Sequence, residues 1–199
     1  MWRPYLDVIK RFAGGAIHVL DRFHVVANLN KAVDAVRAEE AKRMQRDGYE
    51  PILKHSRWCL LKKPQNLTES QSGKLRDLLQ YNLKTVRAYL LKEDIQSLWS
   101  YVSPTWAGKF LDRWCSTAMR SKIEPMKKMA RQLRSHRALI LNWFRAQGAM
   151  SSGSVEGLNN KLKVITRRAY GLRTYKATEI ALYHALGALP EPQVTHEFF

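Results

Sequence analysis

The sequence has few cysteines and no arrangement of them that suits a metal. Cys59 and Cys115 are the two cysteines; they form no Cys-x-x-Cys motif, and no set of Cys and His residues around either is large enough for a zinc site. Structural zinc sites need several such ligands close together in the sequence, so this type of site is excluded. Two cysteines in a chain of this size indicate free buried thiols in a reducing compartment, which fits the cytoplasm.

Long apolar runs and targeting signals are also missing. No uninterrupted apolar run is long enough to span a bilayer. The first residues, Met1–Pro4, do not have the pattern of a signal peptide. There is no internal repeat, no low-complexity tract and no glycine-rich phosphate loop. We therefore expect no membrane partner.

Acidic residues are scarce relative to basic ones. The chain has 34 Lys and Arg against 17 Asp and Glu, a net charge of +17 and a pI of about 10.1. An apolar content of 45% indicates a folded protein. Such a basic folded chain requires a polyanionic partner, and nucleic acid is the default expectation.

Strand signals are scarce as well. Ala16–Leu20 is short, apolar and partly β-branched, and it is the one convincing strand. A single strand cannot form a sheet, so it pairs with another chain or the rest of its sheet is not in this sequence. Asp21 and His24 follow it directly. They could be a metal ligand and its neighbour, or a helix cap and a packed or hydrogen-bonded histidine, and their chemistry alone favours the second interpretation.

Most of the remaining sequence has helical periodicity. Helices are predicted over residues 25–46, 83–101, 124–144 and 174–187, and Thr68 with Gln71 forms a capping box. Residues 49–64 are a predicted connector and residues 190–199 a frayed tail. The spacing of Trp99, Trp106 and Trp114 predicts core positions, whereas Trp58 stands in the connector among basic residues, where it could stack on a base.

Residues 151–175 are the most informative part of the sequence. Val155, Leu158, Leu162 and Ile165 share one helical face, and a polar face beside it carries Glu156, Asn159, Asn160, Lys163 and Arg167. Gly171 is a plausible terminator of this helix. Glu156 suits the positive end of the helix dipole, which is the structural interpretation. The functional interpretation needs a divalent metal for the carboxylate and an anionic ligand for the basic face.

Four groups of residues carry a family resemblance that spans nearly the whole chain: Leu20–Val26 with Leu29–Asp34 and Arg37; Arg57–Lys62 with Asn66–Thr68; Ala88–Tyr89 with Lys92–Glu93; and Ser154–Lys161 with Arg167–Gly171. They are similar to the catalytic region of DDE-class insertion-sequence transposases of the ISL-three group. The first and last groups are quite specific.

The resemblance implies a ribonuclease-H-like core with two aspartates, a late glutamate and a helical insertion before that glutamate. The three carboxylates would hold two Mg²⁺ (or Mn²⁺), which activate water to nick DNA and then the freed 3′ hydroxyl for strand transfer. Glu156 matches the third acid and a metal ligand, and Lys163 the basic residue seven positions later. Asp21 and His24 match a signature that related transposases carry after a core strand.

The resemblance also implies partners and contact residues. The partners would be double-stranded DNA at transposon ends and, since such transposases act as assemblies on paired ends, a second copy of the chain. The location would be the bacterial cytoplasm, in association with the nucleoid. The residues expected to contact DNA are Asn159, Asn160, Lys161, Lys163, Arg167, Arg168, Arg173, Lys127, Arg131, Arg134 and Trp58.

One departure from the family pattern is serious. The first aspartate and its strands are absent, and the second would precede the segment Met1–Tyr5. The expected fold is therefore mostly α, the C-terminal remnant of a ribonuclease-H-like α/β core with one strand and a large all-α insertion. The expected division is residues 1–50, 51–150, 151–189 and 190–199, that is, partial core, insertion, returning core helices and tail.

Three hypotheses follow for the function. The chain is a transposase fragment that binds DNA and is inactive alone, because Mg²⁺ prefers six oxygen ligands and Glu156 cannot supply them. Alternatively, it is a non-catalytic basic helical nucleic-acid-binding protein. Finally, Asp21 could replace a missing acid and form a reduced metal site with Glu156.

Overall fold

The computed structural model describes residues 7, 11–12, 15, 17–20, 22–146 and 153–186, and the chain divides into two compact units, residues 1–150 and 151–199. The helices of the first unit are α1 (Arg22–Arg46), α2 (Arg57–Leu61), α3 (Glu69–Leu79), α4 (Lys84–Gln96), α5 (Pro104–Arg120), α6 (Glu124–Ser135) and α7 (Arg137–Arg145). The second unit contains α8 (Gly153–Arg168) and α9 (Tyr175–Leu186), which pack against each other. None of the described helices is both long and apolar enough to cross a membrane.

Helix α1 is the central element of the first unit. Its apolar residues recur every three or four positions, so they form one face, and Val25, Leu29, Val33 and Val36 are buried on it. This face packs against α2, α4 and α6, while α5 packs against α6 and α7. The result is a helical bundle with one main apolar core.

The expected α/β remnant is wrong for the described part of the chain, whereas the mostly α class is confirmed. Residues 17–20 of the predicted strand have no regular secondary structure. The Leu20 amide donates to the Leu139 carbonyl at 3.1 Å, and the Asn142 side chain donates to the His18 carbonyl at 2.8 Å. Helix α7 thus satisfies backbone groups that a second strand would otherwise pair. A short apolar β-branched run suits a buried connector as well as a strand.

Other predicted boundaries shift for local reasons. The helix expected over residues 124–144 breaks at His136, whose backbone leaves the helical region. The helix expected to reach residue 101 ends at Gln96 and continues as a 3₁₀ turn, Ser97–Ser100. A second 3₁₀ turn, Pro64–Asn66, precedes α3. The capping box of Thr68 and Gln71 is confirmed, with both of its hydrogen bonds formed.

Aromatic residues fill one end of the first unit. Trp99 stacks on Phe144, with ring centroids 5.9 Å apart, and meets Trp143 edge to face at 5.1 Å. The indole of Trp114 is buried and donates to the Leu91 carbonyl at 2.9 Å. The predicted core position of Trp106 is wrong, because its side chain is 60% exposed. A four-residue repeat drifts by about 40° per step around a helix. Trp106 therefore lies off the face of α5 on which Phe110 and Trp114 are buried.

Both cysteines are buried free thiols, as expected from the sequence. Burial raises the pKa of Cys115 to about 11 and also raises the pKa of Cys59. Each thiol is therefore in its neutral form at physiological pH, which suits a packing role rather than a nucleophilic one.

Two buried charged residues join helices that are distant in the sequence. Lys92 on α4 is 3% exposed, and its ammonium donates to the Leu60 carbonyl at 2.7 Å. Glu40 on α1 is 4% exposed and accepts from the amides of Lys84 and Thr85 at 3.1 and 2.7 Å. Lys92 therefore fixes α2, and Glu40 caps the start of α4, where Leu83 offers no side-chain cap.

Candidate nucleic-acid interface

Helix α8 carries four of the basic residues predicted to contact DNA: Lys161, Lys163, Arg167 and Arg168. Asn160, Lys163 and Arg167 lie three and four residues apart, which places them on one helical face, and all three are exposed. Lys161, Arg168 and Arg173 are exposed as well. In the described residues of this unit, Lys176 and Glu179 on α9 form an ion pair at 3.0 Å, but no ion pair engages the cations of α8. These charges are therefore available to an external anion.

Helix α8 ends in a Schellman motif. The Gly171 amide donates to the Thr166 carbonyl at 3.0 Å, and the Tyr170 amide donates to the Arg167 carbonyl at 3.1 Å. Tyr170 has a φ of 50° and Gly171 a φ of 95°, so both lie in the left-handed region. Gly171 is part of the termination, as predicted, but Tyr170 occupies the position that glycine usually takes. Thr174 then caps α9 by accepting from the Ala177 amide at 3.1 Å.

The side chains of the predicted acidic residues lie outside the described part of the structure. Glu156 lies within α8, but its side chain and that of Asn159 are outside the described residues, and Asp21 is wholly outside them. His24 lies in the first turn of α1, where it is exposed and meets the Phe23 ring edge to face at 6.1 Å. This exposure does not fit a histidine packed in the core, and the hydrogen-bonded histidine stays a prediction.

A two-metal centre needs a set of oxygen donors, because Mg²⁺ prefers six oxygen ligands. Among the described residues, no group of three or more His, Cys, Asp and Glu side chains is arranged to hold a metal ion. The described part of the chain therefore does not fit a two-metal centre.

The predicted cations of α6 are held differently from those of α8. Lys127 and Arg131 both pair with the carboxylate of Glu124, the lysine at 2.8 Å. These two charge-assisted hydrogen bonds to Lys127 and Arg131 lower the pKa of Glu124. Arg134 donates to the Ser116 hydroxyl of α5 at 3.2 Å. One carboxylate thus offsets part of this cluster's charge, so α6 is a weaker candidate for anion binding than α8.

Trp58 lies on a small surface of α2 that a cation–π contact and two ion pairs hold in place. Its ring is 54% exposed, and the Arg57 guanidinium lies 5.2 Å from the ring centroid. Arg57 also pairs with Asp34 of α1 at 3.1 Å, and Asp34 pairs with Arg37 at 2.8 Å. Short helix α2 replaces part of the connector that was predicted here. The accessible ring keeps base stacking by Trp58 as a prediction.

Two exposed aromatic positions were missed by the sequence reasoning. Trp106 has the Lys109 ammonium 4.4 Å from its ring centroid, so it forms a second exposed cation–π pair. Tyr170 is fully exposed beside the arginines at the end of α8. The signal for Tyr170 was its position between Arg168 and Arg173, but its conformation could not be read from residue types.

Comparison with known proteins identifies the family. A family model described as a transposase, of the ISL3 type of DDE transposases, matches residues 1–182. The chain is 38% identical to the transposase for insertion sequence element IS1001 of Bordetella parapertussis, over 78% of this chain and 38% of that protein. It is 33% identical to the transposase for insertion sequence element IS1557 of Mycobacterium tuberculosis, over 86% of this chain and 43% of that protein.

These matches cover most of the chain but a smaller share of its relatives. The chain spans 38 to 43% of the length of these curated relatives. No solved structure matches it significantly. The resemblance found from the sequence motifs is confirmed: the chain belongs to the ISL3-type family of DDE transposases.

Proposed function

We propose that this chain is a DNA-binding part of an insertion-sequence transposase and that α8 supplies its main contacts with the phosphate backbone. The observation that carries the proposal is the exposed basic face of α8, on which Lys163 and Arg167 have no ion-pair partner among the described residues. The net charge of +17 and the names of the relatives support the same partner. Double-stranded DNA at transposon ends, within the nucleoid, is the proposed ligand.

The physical basis is the release of counterions from DNA. Lysine and arginine side chains that neutralise phosphates displace condensed cations, so affinity falls as salt rises. Lys163 and Arg167 are four residues apart, about 6 Å along the axis, which is close to the spacing of successive phosphates. One face of α8 can thus contact neighbouring phosphates of a strand that runs beside it.

Replacing Lys163 and Arg167 together by glutamine tests this proposal. Two lost phosphate contacts should reduce the slope of log affinity against log salt by about 1.8 and lower duplex affinity roughly 50-fold at 0.1 M salt. Fluorescence anisotropy with a labelled duplex, repeated over a salt series, measures both quantities.

The matched control removes the same charge elsewhere. Lys54 and Arg120 are exposed residues of the first unit, and no ion pair engages either within the described residues. Their double replacement by glutamine should change affinity much less. Equal losses in the two variants would mean that only the total charge matters, and α8 would then lose its assigned role.

Catalysis is a separate part of the proposal. We expect the 199-residue chain alone to bind DNA without nicking it, since the resemblance matches only Glu156 to an acid of the triad. The measurement is conversion of supercoiled plasmid to the open circle with Mg²⁺ or Mn²⁺. Nicking by the wild type that is lost in Asp21→Ala and in Glu156→Ala would contradict this expectation and support the reduced metal site. A protein that only binds DNA would also show no nicking, and its binding would be unaffected by Glu156→Ala.

A further inference from the structure

Tyr170 has a backbone conformation that disfavours its own side chain. Its φ of 50° lies in the left-handed region, which glycine adopts without the steric cost that a Cβ atom brings. The hydrogen bonds of the Schellman motif hold it there, at the end of α8. An aromatic residue in this position is an outlier, and outliers of this kind concentrate at functional sites.

Packing does not explain the choice of tyrosine. The side chain is fully exposed, and among the described residues no hydrogen bond, ring contact or cation–π contact engages it. Glycine or asparagine would end the helix with less strain and lose no contact in the described fold. Within the described residues, the fold of the second unit therefore does not use the ring.

The surroundings of Tyr170 are positively charged. Arg167 and Arg168 form the last turn of α8 and Arg173 follows the motif, and all three are exposed. An exposed ring among guanidinium groups is the combination that binds unpaired nucleic acid, in which cations hold phosphates and the ring stacks on a base. Bases inside a continuous duplex already stack on both neighbours, so the ring can stack only on a base at a gap or an end, or on one that has left the duplex.

We propose that Tyr170 is a stacking residue for an unpaired base of the DNA that α8 holds. This inference rests on the proposed function, since α8 must first bring the backbone to the ring. It also specifies which form of DNA is bound most tightly. The preferred ligand is a duplex with a short single-stranded gap or end, rather than a continuous duplex.

The test compares three replacements at one position. Tyr170→Phe keeps the ring, Tyr170→Ala removes it, and Tyr170→Gly removes it while relieving the backbone. The matched control is Tyr183→Ala, which removes another exposed tyrosine, on α9. Anisotropy titrations of the full chain use two labelled ligands, a continuous duplex and the same duplex with a single-stranded gap.

The expected result separates stacking from folding. Alanine and glycine should each weaken binding of the gapped duplex about tenfold and leave the continuous duplex within twofold, while phenylalanine and Tyr183→Ala leave both unchanged. Tyr170→Gly should also raise the melting temperature, so its weaker binding cannot result from unfolding.

Two results would overturn the inference. Unchanged binding of the gapped duplex by Tyr170→Ala would show that the ring touches no base, and a lower melting temperature of Tyr170→Gly would show that the ring packs within the protein. Failure of the proposed function looks different: the Lys163 and Arg167 replacement would then leave both ligands bound as tightly as before.

Discussion

Replacing Lys92 by methionine is expected to lower the free energy of unfolding by about 3 kcal/mol. The ammonium of Lys92 is buried, lies 2.7 Å from the Leu60 carbonyl and 2.7 Å from the Glu93 carboxylate, and sits 4.9 Å from the Tyr89 ring centroid. Methionine preserves most of the volume but leaves the carbonyl without a donor and the carboxylate without its cation. Denaturation in urea, followed by circular dichroism, measures the loss.

The control for Lys92 is Lys54→Met, which removes an exposed lysine. A surface substitution of this kind should change the free energy of unfolding by less than about 0.5 kcal/mol. Similar losses in the free energy of unfolding for the two variants would show that Lys92 does not stabilise the packing of α2. Because Lys92 fixes the last turn of α2, its loss should also expose Trp58 to a more variable environment, which tryptophan fluorescence quenching can detect.

The second large effect is expected at Glu40. Its carboxylate accepts from the first two amides of α4 and pairs with Arg43 at 3.2 Å, although α1 and α4 are separate helices. Alanine would leave two amides in a poorly solvated place without an acceptor, at a cost of about 3 kcal/mol in the free energy of unfolding. Urea denaturation again provides the measurement.

Neighbouring and conservative variants make this prediction specific. Glu39→Ala changes the adjacent residue, and no hydrogen bond or ion pair engages the Glu39 side chain within the described residues. Its effect should therefore stay below about 0.5 kcal/mol. Glu40→Gln keeps one acceptor oxygen and should cost roughly half as much as alanine. A loss at Glu39 as large as that at Glu40 would mean that the negative charge of α1, rather than the cap, stabilises the bundle.

Features determined by neighbouring residues were predictable from the sequence. The capping box depends on Thr68 and Gln71, three positions apart, and helical periodicity located the buried face of α1. The roles of Lys92 and Glu40 depend on partners 32 and 44–45 residues away, which residue types alone do not reveal. The predicted strand failed for the same reason, since the groups that pair with residues 17–20 lie on α7.

The candidate interface also has features that the sequence predicts and features that it does not. The basic face of α8 follows from residue spacing and family motifs, and the structure leaves its cations exposed as expected. The conformation of Tyr170 was not predictable, because helix termination in the left-handed region is usually assigned to a glycine and Gly171 stands directly after it. Trp106 shows the converse error: a four-residue repeat does not keep each of its members on the buried face of a helix.

The hydrogen bond between His18 and Asn142 affects the order in which the first unit folds. The two residues are 124 positions apart, and their hydrogen bond joins the connector before α1 to the last helix of the bundle. Contacts so distant in sequence form only after most of the intervening chain is available, which slows folding. During synthesis, the apolar residues Val19 and Leu20 must therefore wait for α7 to leave the ribosome.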